Sequence, residues 1–151
     1  MKPMTATRYR HLMIIFGALF SMRVLAQLAS LFIEWASFPA FDRWYSGALS
    51  YPLLLLAQLT ILFFMLVVVA NPCRFRLTPA LVRLIQRVAV VYFTVMFLRL
   101  LIALGGLSAQ AWLQLPLPAF FHLVLAGFLY CYAGYHDRLH FKRGECQCTL
   151  R

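Results

Sequence analysis

Residues Leu49–Ala70 read LSYPLLLLAQLTILFFMLVVVA and run straight into Asn71-Pro72. The stretch carries no charge. At a rise of about 1.5 Å per residue it is long enough to cross a hydrocarbon core roughly 30 Å thick. Pro72 has no N–H to continue the ladder, so the helix closes there. In lipid every backbone N–H and C=O must find its partner inside the segment or in a closed barrel, and an unbroken apolar run of this length reads as a spanning helix.

One similar stretch precedes it, from about Leu12 to Ile33, and two follow. The third opens at Thr78-Pro79, an N-cap hydroxyl followed by Pro at the first helical position, and runs to Gly105-Gly106. Its first turns carry Arg83, Gln86 and Arg87 and are expected among the headgroups. The fourth begins after Pro116 and Pro118 and reads to about Tyr135, which makes it the shortest. Trp35, Trp44, Tyr45 and Trp112 fall at segment ends on one side, where amphipathic rings prefer the interface.

Composition agrees: 64% of the 151 residues are hydrophobic and 12% charged, more apolar surface than a soluble domain can hide. The expected fold class is therefore an all-α membrane protein, with four transmembrane helices in an antiparallel bundle. Residues 1–151 form one membrane-embedded domain, with spans of about 12–33, 49–70, 79–105 and 117–135 and a basic tail over 136–151. The first apolar run exceeds a signal-peptide core, contains Arg23 and has no clear cleavage site, so it reads as a retained span.

Positive charge stays in the cytoplasm, and here it is lopsided. Lys2, Arg8 and Arg10 precede the first span, Arg74, Arg76, Arg83 and Arg87 separate the second and third, and Arg138, Lys142, Arg143 and Arg151 follow the fourth. Those eleven lie on one side, against Arg43 alone on the other. Both termini are expected in the cytoplasm, and a bacterial cytoplasmic (inner) membrane is the expected location. The net charge of +10 then reports topology and a grip on anionic lipid, with no nucleic-acid partner expected.

Cys73, Cys131, Cys146 and Cys148 all fall on or near the cytoplasmic side, so no extracytoplasmic disulfide is expected. Quinone-coupled disulfide oxidases are also four-helix membrane proteins, but the C-x-x-C pair they need is absent. The trimeric membrane glutathione transferases share the size and helix number, yet their Arg- and Asn-bearing second-helix motif has no counterpart here. In the tail, His136 and His140 sit at i, i+4, with Cys146 and Cys148 close behind. Four such ligands suit zinc. C-x-C is an atypical spacing, however, and the surrounding Arg and Lys repel a cation, so no metal is expected.

Polar residues inside the spans are better ordered. Arg23, Gln27, Ser30 and Glu34 recur at i, i+4, i+7 and i+11, one face of the first helix. Tyr51 and Gln58 on the second helix are seven apart, as are Tyr92 and Arg99 on the third, and His122 comes from the fourth. Arg23 is placed near mid-membrane, with Gln58 about 13 Å, Arg99 about 9 Å and His122 about 6 Å below the outer edge. The expectation is that Arg99, His122 and Glu34 converge, while Arg23 has Gln27 and Gln58 in reach. A net positive cluster of that kind could hold an anion, a lipid phosphate or a quinone carbonyl, or pair with another subunit. Gly17 and Ser21, and Ala26 and Ser30, offer small surfaces for helix contact on the first span.

With four acids in all, no nucleophile elbow and no phosphate-cradling Gly-rich loop, no catalytic constellation is legible. No cofactor is expected; a quinone or phospholipid would suit the cluster better than zinc. The leading expectation is a small non-catalytic membrane subunit or interaction partner of a larger complex, in contact with membrane lipids and with another subunit or a second copy. The alternatives are a carrier or binding protein for an anionic, lipid-phosphate or quinone-like ligand, and an immunity-type protein against a membrane-inserting toxin.

Overall fold

The computed structural model describes residues 4–32, 51–72, 74–75, 77–106 and 115–148. Among the described residues the chain is all-helical: α1 Ala6–Phe32, α2 Tyr51–Ala70, α3 Pro79–Gly105 and α4 Pro116–Cys148. All four contain a segment long and apolar enough to cross a membrane, and the protein is an integral membrane protein.

Local signals explain the helix ends. The Thr78 hydroxyl accepts from the Leu81 N–H at 3.3 Å, and Pro79 occupies the first helical position, where its missing N–H costs nothing. Gly106, at φ 61°, closes α3 in the left-handed region and gives its N–H to the Ile102 carbonyl. These are the expected limits of the third span. Inside the apolar helices Ser21, Thr60 and Thr94 donate to carbonyls one turn back, at 2.8, 2.8 and 3.0 Å, which spares lipid an unmet hydroxyl.

The fourth helix departs from expectation. It runs to Cys148, and its apolar segment Pro116–Leu139 has 24 residues, against 19 for Pro52–Ala70, so the second span is the shortest. Tyr135 does not end the helix because nothing in His136–Leu139 breaks it: there is neither Gly nor Pro, and the ladder continues into the tail.

In space the order is α2, α1, α4, α3. α1 packs on α2 and on α4, and α4 also packs on α3; among the described residues α2 and α3 each approach a single neighbour. α4 is the most buried helix, with 56% of its apolar segment covered, against 6% for α3. Apart from Arg23, the buried residues of α1, Met13, Gly17, Phe20, Val24 and Gln27, recur at alternating spacings of four and three, the seam expected of helices crossing at a shallow angle. Met13, Phe20 and Val24 meet Met65 and Val68 of α2 and Phe121, Val124, Phe128, Cys131 and Tyr132 of α4 in one core. α3 adds nothing to that cluster.

Two glycines let α1 and α4 close up. A Cβ on Gly127 would come 2.8 Å from Phe16 Cζ, and one on Gly134 would come 2.7 Å from Tyr9 Cε1. Without a hydrophobic driving force between helices in lipid, such close approach supplies much of the packing energy. On the first span Gly17 plays a weaker part, since a Cβ there would sit 3.9 Å from Val69, an ordinary contact.

Candidate functional site: a polar layer across four helices

Each helix contributes to one polar layer. Between α1 and α2, the Gln58 Nε2–H donates to Gln27 Oε1 at 3.0 Å, and both side chains are buried. Between α3 and α4, Tyr92 Oη and His122 Nδ1 lie 2.6 Å apart, the hydroxyl donating when that nitrogen is unprotonated. Between α1 and α4, the Arg23 guanidinium carbon sits 5.2 Å from the centroid of the Phe121 ring. Arg23 and Arg99 are both within Coulombic range of His122, and Arg99 also of Tyr92.

Arg23 and Gln27 are buried on α1 and Gln58 on α2, while Tyr92, Arg99 and His122 are half-buried on α3 and α4. His122 takes Tyr92 as its hydrogen-bond partner. Gln27 and Gln58 bond to each other, and the cation–π contact that Arg23 makes is with Phe121, one residue before His122. Phe121 went unnoticed in the sequence because an aromatic residue in an apolar span is indistinguishable from core until its neighbour is known. Arg99 lies in the same layer, half-buried, with partners of its own. Glu34 lies outside the described residues, as do the side chains of Tyr51 and Ser30.

Arg23 is the anomaly of the layer. It is 8% exposed, and among the described residues its Nε has no hydrogen-bond acceptor. A desolvated cation–π contact contributes about 2 kcal/mol. A charge at mid-membrane costs roughly 2.5–3.5 kcal/mol on insertion scales, and each unmet buried donor about 1–3 more. The ring therefore offsets only part of the cost. A second unmet group belongs to the same layer: among the described residues Gln58 Oε1 is buried with no donor, on the amide whose Nε2 pairs with Gln27. Gln27 stands one turn beyond Arg23 on α1, and its side chain leans back over the turn that carries the arginine.

At the other end, His136 of the candidate metal set is 4% exposed, and its Nε2–H donates to the Pro72 carbonyl at 3.0 Å. A nitrogen that carries the proton has no lone pair for a metal. Its ring stands edge-on to Tyr132, and the Tyr132 hydroxyl points at the Phe75 carbonyl at 3.5 Å, so these two side chains tie the turn after α2 to α4. The side chains of His140, Cys146 and Cys148 lie outside the described residues. Among the described residues no group of three or more His, Cys, Asp or Glu comes together.

The class of protein is thus a polytopic helical membrane protein with a polar layer buried in its spans. Compared with protein families, with curated proteins and with solved structures, the chain matches none.

Proposed function

We propose that the chain is a small non-catalytic subunit or interaction partner of a larger membrane assembly, held in a bacterial cytoplasmic membrane. The observation that carries this reading is α3. Among the described residues only Val82 and Ala89 of its 27 residues are buried, and it leans on α4 alone. Lipid tails are as apolar as leucine, so a spanning helix gains nothing from being apolar and stays in place through close packing and polar contacts. α3 has little of the first within this chain. A neighbouring subunit would complete its packing. Affinity purification in mild detergent followed by native mass spectrometry should therefore yield an assembly heavier than the 17.4 kDa chain, with a stoichiometric partner or a second copy. A lone 17.4 kDa particle extracted directly into native nanodiscs would overturn the reading.

The arrangement proposed is antiparallel, with both termini in the cytoplasm. Contacts between α1 and α4 support it, since Tyr9 meets Gly134, Phe16 meets Gly127 and Arg23 meets Phe121, numbers that rise on one helix as they fall on the other. For α1 and α2, the pairs Gly17 with Val69 and Gln27 with Gln58 descend in the same way. The eleven Lys and Arg residues on one side supply the orientation. Reporter fusions should show phosphatase activity near Asp42 and silence after Arg151; the reverse pattern would refute it.

A further inference from the structure

We infer that Arg23 anchors a binding site, between α1, α2 and α4, for the oxyanion of an acyl-chain lipid, a carboxylate or a phosphate. The site rests on two opposed unmet groups: a buried N–H donor on Arg23 and a buried acceptor, Gln58 Oε1, near the Gln27 amide one turn away. Phe121 attracts the guanidinium but offers it no oxygen. A guanidinium fork matches a carboxylate or phosphate, which can take two of its N–H groups at once.

Depth selects the carrier. In the apolar run Leu12–Ile33 Arg23 stands at the middle, roughly 15 Å along the helix from either end and inside the acyl region. A water-borne anion would have to shed its hydration to arrive there. A lipid brings its oxyanion on a chain already dissolved in that phase. A singly ionised phosphate monoester also carries an O–H that Gln58 Oε1 can accept, so that head group can answer both unmet atoms, whereas a carboxylate answers Arg23 alone. The inference goes beyond the assembly reading and needs no partner: an isolated chain that binds lipid would keep it while sinking the other.

The test uses delipidated full-length protein in detergent, probed by native mass spectrometry with oleate, dioleoyl phosphatidic acid and, as the zwitterionic control, dioleoyl phosphatidylcholine. One anionic lipid per chain is expected, bound at least tenfold more weakly by Arg23→Met. Gln58→Glu, which supplies a carboxylate from within, should lose the lipid as well. Arg87→Met, at an exposed position near the start of α3, should bind like the parent protein. Tighter oleate assigns the carboxylate, and tighter phosphatidic acid the phosphate. Thermal midpoints are read alongside; if Arg23→Met unfolds earlier than the parent, Gln58→Glu alone decides. Undiminished binding by Gln58→Glu, or a loss matched by Arg87→Met, would overturn the site and reduce the effect to charge at the membrane surface.

Discussion

Leucine at both Gly127 and Gly134 should separate α1 from α4 and cost the protein about 4 kcal/mol of stability. Even the first carbon of a side chain does not fit at either position, where it would lie 2.8 Å from the Phe16 ring and 2.7 Å from the Tyr9 ring. Overpacking of this kind costs about 1–3 kcal/mol per site, and a leucine that adds three more carbons belongs at the top of that range. The two sites are seven residues apart, far enough for their effects to add. Against this, leaving glycine for a better helix former returns at most about 1 kcal/mol each.

Alanine at the same positions should therefore be milder, since the obstructing atoms are ring edges that can tilt, and Gly17→Ala should be neutral or slightly stabilising. Unfolding midpoints in mild detergent would rank the variants. Pairing Gly127→Leu with Phe16→Ala should recover part of the loss, because volume moves from one helix to the other. If the double leucine protein unfolds at the parent midpoint, α1 and α4 do not meet through these glycines.

A second large effect is expected from charge complementation between Arg23 and position 58. Arg23→Met should stabilise the protein, because methionine keeps a favourable sulfur contact with Phe121 while the desolvated charge and its unmet Nε disappear. Gln58→Glu alone should also be tolerated, since its carboxylate arises beside the guanidinium. Combining the two leaves a lone carboxylate at membrane depth, at a cost of roughly 2.5–3.5 kcal/mol. A double-mutant cycle should then show a coupling of at least about 2 kcal/mol. A coupling under about 0.5 kcal/mol would mean that the two side chains do not face each other.

Much of the layer could be read from spacing. Gln27 and Gln58 were both assigned to inward faces, and Tyr92 to the face of Arg99; all of these side chains belong to the layer. Ranking Arg99 above Arg23 rested on depth estimates and on Glu34, which lies outside the described residues; Arg99 is half-buried with partners of its own, whereas Arg23 is the more deeply buried of the two. Gly127 and Gly134 were missed although they recur at seven residues in an apolar span, a signature of a close helix contact that is easily overlooked beside bulkier neighbours.

By itself the sequence determined that the chain has four helices able to span, and the N-cap at Thr78 and glycine end of the third, because in lipid a helix must satisfy its backbone within its own segment and its ends carry local signals. Only the tertiary structure decided that α4 is the most buried helix, that among the described residues α3 rests on it alone, and that Arg23 lies over Phe121 while His122 takes Tyr92. Those outcomes depend on how surfaces from distant parts of the chain fit. Two glycines that admit a Phe and a Tyr ring set the α1–α4 contact, and no local pattern of charge or hydropathy records which helix they will meet.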